Sequence, residues 1–444
     1  MNDWLIRNAD IVNEGRRFQG DLRVRGGRID QIGGNLEARP GERLFDAGGR
    51  LLIPGMIDDQ VHFREPGLEY KGDFYTESRA AVAGGVTSFF EMPNSKPTTT
   101  DYAALADKKQ RASAKSLGNY AFYFGATNDN LELIRKLDPT AACGIKIFMG
   151  ASTGNMLVDN PATLDGIFRD APVPVVTHCE DTPTIEANLA AERARYGDAI
   201  PVERHPFIRS REACIKSTRL AIELARRHGT RLHVLHISTA DELALFTPGP
   251  IEGKRITAET CVHFLHFSND DYAAKGNFIK CNPAIKMPAD REAIIAALRD
   301  GRIDVLATDH APHTLEEKQL PYEKAPSGLP LVQSVLQCAL ERWFDGQLML
   351  ELIVERACHA PAKLFNVHER GFLREGYRAD LTLIDLDTPE AVTRESVLSK
   401  CGWSPFEGTT FRSTIAATWV NGHLAWHDGK LNDAQLGQAL EFAR

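Results

Sequence analysis

The 444-residue chain has no low-complexity tract, no block of like charge and no apolar run near the roughly twenty residues a bilayer-spanning helix needs. A disordered tail and a membrane anchor are therefore not expected. The net charge of −8 is spread along the sequence, which argues against nucleic acid or a membrane surface as partner. Residues 1–5 lack the charged-then-apolar layout of a secretory signal. The eight cysteines (Cys143, Cys179, Cys214, Cys261, Cys281, Cys338, Cys358, Cys401) contain no CxxC pair. That spacing excludes a short-loop disulfide framework or zinc ribbon, and a cytoplasmic protein with free, mostly buried thiols is expected. Glycine pairs such as Gly84-Gly85 match no phosphate-binding loop.

What is present is a change of texture along the chain. Residues 5–12, 21–24 and 28–32 read as short strands punctuated by Gly26-Gly27 and Gly33-Gly34. The same texture returns at residues 379–384 and 416–424, with Asn421-Gly422 as a hairpin turn. One small β-sandwich domain built from residues 1–54 and 371–444 is expected. Between them, apolar runs end near His62, Glu91, Gly125, Met149, His178, Ile237, Thr260 and Thr308, with helical periodicity at 75–83, 131–137, 213–227 and 290–298. Eight β/α units in residues 55–370 favour an α/β fold of the closed (β/α)8 TIM-barrel type over a doubly wound sheet, which counting alone does not exclude.

The densest chemistry lies at residues 58–67, Asp-Asp-Gln-Val-His-Phe-Arg-Glu-Pro-Gly, after an apolar approach from Leu51 to Ile57. Side chains two apart on a strand share a face, so Gln60 and His62 point together and suit one metal ion. Arg64 follows as a fixed cation suited to a carboxylate. Gln60 is the odd member, because an amide oxygen is a weaker ligand than an imidazole. A metal there is expected to be loosely held, unless Gln60 is a spacer hydrogen-bonded to a neighbour.

Other polar groups close apolar strands: His178 after 173–177, His236 after 232–235, and Asp309 after 303–308. Strand C-terminal ends are where barrel active sites assemble. His233 is an odd number of residues from His236 and is expected to face outward. His263 and His266 follow Cys261 without the further cysteines a zinc knuckle needs, so packing or loop roles are expected. Lys146, in Gly-Ile-Lys-Ile-Phe-Met, has no acidic neighbour in sequence. It is either a lysine that snorkels to water or an amine freed by desolvation and converted to a carbamate.

These pieces together resemble the amidohydrolase superfamily and, within it, the dihydroorotases. The resemblance runs nearly end to end, through Pro54-Gly55-Met56-Ile57-Asp58, His62-Phe63-Arg64-Glu65-Pro66-Gly67, Met92-Pro93-Asn94, residues 307–313 and Ala379-Asp380-Leu381. Residues 144–155 and 401–408 are similar to a bacterial subgroup with a carboxylated lysine. The resemblance implies zinc, one or two divalent ions per chain. His62 and Asp309 would hold one metal, His178 and His236 the other, with N6-carboxylated Lys146 as the bridge and Gln60 as a doubtful ligand. It implies Asp309 as general base, Arg64, Asn94 and His313 at the substrate carboxylate, and Asn282, Ala325, Ser327 and Gly328 at the ring. The implied reaction is reversible hydrolysis of dihydroorotate to N-carbamoyl-aspartate in pyrimidine biosynthesis. A homodimer and association with aspartate transcarbamoylase are compatible with it. Rival readings are an allantoinase, a dihydropyrimidinase or hydantoinase, and an inactive scaffold. The uncharged-ring enzymes have no need of Arg64 paired with Asn94, and a scaffold has no need of His178, His236, Lys146 and Asp309.

Overall fold

Residues 3–150 and 156–444 are described by the computed structural model. Residues 1 and 2 of the expected signal-free start lie outside the described residues, as does the 151–155 part of the 144–155 segment.

The middle of the chain builds two parallel sheets. Met56–Val61, Val86–Glu91 and Asn119–Phe122 form one. Phe124–Gly125, Ile145–Phe148, Val175–His178, Leu232–Val234, Ile256–Cys261 and Val305–Ala307 form the other. Residues 119–125 are one extended run whose first half pairs with Val86–Glu91 and whose second half pairs with Ile145–Phe148. At the opposite seam Val61 bridges His310, and the His62 amide donates to the His310 carbonyl at 2.7 Å. The result is an α/β fold related to TIM-barrel hydrolases, with additional sheets. Strands covered on both faces read as solid apolar runs, and each of these strands is buried over nearly its whole length.

The helices between strands follow from local sequence. Arg211–His228 starts at Ser210, whose hydroxyl accepts from the Ala213 amide, and stops at Gly229 in the left-handed region (φ 67°). It buries Cys214, Ser217, Thr218, Ala221, Ile222 and Ala225, a stripe at three- and four-residue spacing. Burying Ile222 alone contributes about 1.5–3 kcal/mol. Pro288–Asp300 begins on a proline and ends at Gly301 (φ 77°).

The two ends of the chain enter one nine-stranded sheet. Leu51–Pro54 runs antiparallel to Leu381–Asp385 and parallel to Trp4–Asn13. Trp4 and Trp419 lie three strands apart in that sheet yet meet edge to face at 6.3 Å, so the sheet curls over its own core. The hairpin between Thr414–Val420 and His423–His427 turns at Asn421 (φ 52°) and Gly422 (φ 76°). A side chain at Gly422 would meet Gly27 Cα at 2.7 Å, so this close approach requires glycine. All eight cysteines are buried and free. Among the described residues no helix is long and apolar enough to cross a membrane.

Candidate active site

An open-mouthed cavity of about 590 Å³ sits over the C-terminal ends of the parallel strands. Its wall comprises Gln60, His62 and Arg64 from the first strand end, then Asn94, Lys146, Phe148, His178 and His236. Asn282, Asp309, Ala311, His313, Ser327 and Gly328 complete it. Of the site residues implied by the resemblance, Ala325 alone is absent from this wall; it is buried, its carbonyl accepting from Lys280 Nζ at 2.7 Å.

Asp309 is the focus of one half. His62 Nε2 and Gln60 Nε2 both lie 3.0 Å from Asp309 Oδ1. Asn94 Oδ1 meets His62 Nδ1 at 2.7 Å and fixes that ring. Burial would raise the Asp309 carboxyl, but the His62 hydrogen bond and charge outweigh it and hold the group at about 2. Asp309, His236 and Arg64 have positive φ (52°, 43° and 73°) without being glycine. Such strain collects where surrounding structure fixes a functional side chain.

The other half is a histidine pair. His178 Nδ1 lies 2.9 Å from His236 Nε2, and His178 Nε2 lies 3.0 Å from Glu180 Oε2. Arg209 Nη1 donates to the same Glu180 oxygen. Burial opposes ionisation of Glu180, but Arg209 and His178 together hold it well below the usual carboxylate range. Burial also lowers His178, and lowers His236 further. Neither Glu180 nor Arg209 stood out in sequence; Glu180 lies two residues past His178 and was the only local signal.

Arg64 is buried and donates through Nε to the Pro312 carbonyl at 2.9 Å, while its Nη2 meets His313 Nε2 at 3.0 Å. Behind His313, Lys71 Nζ lies 3.0 Å from Nδ1 and 2.9 Å from Glu317. Asn282 lines the cavity, and among the described residues its buried Oδ1 has no hydrogen-bond partner.

The carboxylated-lysine bridge implied by the resemblance is corrected. Among the described His, Cys, Asp and Glu side chains, the group whose ligand atoms converge is Asp59, His233 and Glu259, all within 4.8 Å of one another. Lys146 is not a bridging carbamate in this set: its Nζ lies 4.7 Å from the centre of the Phe148 ring, and burial lowers its pKa to about 8. His233 therefore does not face outward; it is fully buried against Asp59 Oδ2 at 3.3 Å and Glu259 Oε2 at 3.5 Å. The strand Leu232–Val234 ends before His236, whose positive φ breaks the alternation on which the outward reading depended. His233 Nδ1 meets Thr257 Oγ1 at 2.8 Å, which turns Nε2 toward the carboxylates.

This trio fits a divalent cation. Both Asp59 oxygens, Glu259 Oε2 and His233 Nε2 are buried without a well-formed hydrogen bond, and two carboxylates with an imidazole match the donors such ions take. Glu259 Oε1 accepts from the His236 amide at 3.3 Å, which ties the trio to the cavity wall. Burial works against a charged His233, but its two acidic neighbours raise it to about 9. Among the described residues His263 and His266 join no such ligand group; they pack on Phe264 at 4.0 Å and on Phe267 at 4.6 Å.

Comparison with known proteins agrees with this architecture. The amidohydrolase family model matches residues 51–425. A dihydroorotase of Halobacterium salinarum is 34% identical over 95% of this chain and 96% of its own length. An allantoinase of Solibacter usitatus is 33% identical over 99% and 97%. The solved structure of L-hydantoinase (dihydropyrimidinase) from Arthrobacter aurescens superposes with a TM-score of 0.94 at 29% identity, covering 99% of this chain and all of that one. Relatives of three different names at nearly equal distance overturn the assignment to a carboxylated-lysine dihydroorotase subgroup.

Proposed function

Since the chain belongs to the amidohydrolase family, and so to the hydrolases that cleave C–N bonds of cyclic amides, we propose that it opens the ring of a cyclic ureide. This is the substrate class common to its dihydroorotase, allantoinase and hydantoinase relatives. One observation carries the reading: an ionised Asp309, the amide of Asn282 and the buried Arg64 cation line the same cavity.

Each side chain then has a task. Asp309, steadied by Gln60 and His62, takes a proton from the attacking water as its oxygen bonds the ring carbonyl carbon. The ring C–N bond breaks, and Asp309 returns that proton to the departing nitrogen. Asn282 Oδ1 accepts a ring N–H. Ser327 and Gly328 present backbone to the ring. Arg64, placed by His313 and the Pro312 carbonyl, holds a carboxylate or carbonyl substituent and so orients the scissile bond. A divalent ion held by Asp59, His233 and Glu259 would add positive charge beside the cavity, stabilising negative charge that develops on the ring oxygen.

The buried guanidinium supports rings that carry a carboxylate over those that do not. The test is a paired panel: dihydroorotate against dihydrouracil, hydantoin-5-acetate against hydantoin, with allantoin alongside. The expected result is ring opening, with kcat/KM at least about tenfold higher for the carboxylated member of a pair, since a charge-assisted hydrogen bond is worth about 1.5–3 kcal/mol. Equal rates within both pairs would remove the carboxylate reading. No opening of any ring by metal-replete protein would remove the proposed reaction.

A further inference from the structure

Besides Lys146, two lysines behind the cavity wall are buried without a carboxylate partner among the described residues. Lys318 and Lys280 are 1% and 6% exposed, and among the described residues neither ammonium forms an ion pair. What each meets instead is backbone. Lys318 Nζ lies 3.1 Å from the Lys280 carbonyl, 3.0 Å from Pro326 and 3.1 Å from Gly328. Lys280 Nζ lies 2.5 Å from the Tyr322 carbonyl and 2.7 Å from that of Ala325. An ammonium has three donors, and these three carbonyls use all of them in the charged form of Lys318, opposing the burial that lowers its pKa to about 7.

All but one of the gripped carbonyls belong to a single irregular segment, residues 322–328. The exception, Lys280, is bound to that segment from the other side, because the Gly328 amide donates to the Lys280 carbonyl at 2.9 Å. Asn282, two residues on, and Ser327 and Gly328 are the parts of these segments that face the cavity. The segment has little room to settle elsewhere. Gly328 has φ +146°, and a side chain there would meet the Ala311 carbonyl at 2.5 Å and His313 Cδ2 at 3.0 Å. His313, which carries Arg64, also meets the Ser327 carbonyl at 3.1 Å. Lys318 itself is delivered by the short helix Leu315–Lys318, whose start is fixed by reciprocal bonds between Thr314 and Glu317.

We infer that Lys318 and Lys280 are positioning residues that clasp residues 322–328 by their carbonyls and thereby fix the ring-facing backbone of Ser327 and Gly328. An irregular segment without a hydrogen-bond ladder opens cheaply unless other groups order it. A buried ammonium that replaces its water shell with carbonyls gains only if those carbonyls stay in place. The clasp therefore orders a substrate-facing loop through contacts that never touch substrate. Residues 314–328 are accordingly a held wall of the site rather than a free lid. The kinetic part of this inference rests on the proposed ring-opening reaction; the structural part does not.

The test is Lys318→Met in the full-length, metal-replete protein, read in two ways. Amide hydrogen exchange in 322–328 is expected to rise about tenfold or more while exchange in the parallel strands stays as in the parent protein. With whichever cyclic ureide the parent opens, KM is expected to rise about tenfold and kcat to change less than about threefold, the pattern of lost binding common to ground and transition states. Should Lys318→Met not fold, Lys280→Met removes only the bonds to Tyr322 and Ala325 and carries the same readouts. Unchanged exchange in 322–328, a uniform rise throughout the protein, or raised exchange with unchanged KM would each overturn the clasp. If the parent opens no cyclic ureide, the proposed reaction fails and the exchange measurement alone decides the clasp.

Discussion

Gln60 Nε2 donates to Asp309 Oδ1 at 3.0 Å, on the same oxygen that His62 Nε2 approaches. The amide at position 60 thus acts on the neighbouring carboxylate, and its oxygen lies 4.0 Å from Cys261 Sγ. This contact gives Gln60 a use that a search for metal ligands alone would miss.

Replacing Gln60 with leucine removes a hydrogen bond to an ionised acceptor while keeping similar bulk. Such a bond is worth about 1.5–3 kcal/mol, so kcat/KM should fall roughly tenfold to a hundredfold. Steady-state kinetics of Gln60→Leu checks this. An unchanged rate would mean that Asp309 needs no help from position 60.

Arg64→Met should act selectively. On a ring bearing a carboxylate, kcat/KM should drop by roughly a hundredfold or more, because a charge-assisted contact is lost from a buried position. On the matched ring without the carboxylate the loss should be smaller by at least about tenfold. Equal losses on both would show that Arg64 supports His313 and the loop rather than substrate.

Glu317 gives a pH-dependent stability. The His313 hydrogen bond, opposed by partial burial and aided by Lys71 and the Thr314 amide, holds its folded pKa well below the ordinary 4.5. A depressed carboxylate contributes stability above its unfolded pKa and loses it as pH falls toward its folded value. Melting temperatures of Glu317→Gln and the parent should therefore differ most above pH 4.5, with the parent higher, and converge as the solution is acidified below that. A gap that stays constant down to the acid end would show that the loss is one of packing.

The Asp59, His233 and Glu259 trio makes two linked expectations. His233→Ala should lower the divalent metal retained after dialysis, measured by elemental analysis. Because its acidic neighbours raise His233 to about 9 and burial raises Glu259 to about 8, metal uptake near neutral pH should release protons, and affinity should climb with pH through that range. Unchanged metal content in His233→Ala would place the ion elsewhere.

Much of the scaffold was legible in the sequence because buried parallel strands leave unbroken apolar runs. The runs expected to end near His62, Glu91, Gly125 and His178 end at Val61, Glu91, Gly125 and His178. The helix expected over 213–227 spans Arg211–His228, with Ser210 and Gly229 as its visible stops. The cavity residues were legible for the same reason, as polar groups stranded at the ends of apolar runs. Alternation failed at His233, since a strand of three residues followed by a left-handed His236 carries no parity across the gap. Lys146 kept two open readings because its environment is tertiary: the depth of its burial has no local sequence signal. Arg209 and Lys71 leave no spacing to read because their partners lie on distant elements, while Glu180 and Glu317 lie two and four residues from His178 and His313, a local signal too weak to single them out. Lys318 lies in the charged stretch 315–319 between Thr314 and Gly328, which from sequence reads as a candidate mobile lid, yet its side chain is buried.

Ring opening by the metal-replete parent protein, set beside Asp309→Asn, is the most direct measurement. The parent should open at least one ring of the paired panel, with the carbamoyl product appearing as substrate disappears. Asp309→Asn should be slower by about 10²–10⁴-fold, the usual worth of a positioned general base. No ring opened by the parent, or equal rates for the two proteins, would contradict a cyclic-ureide hydrolase built around Asp309.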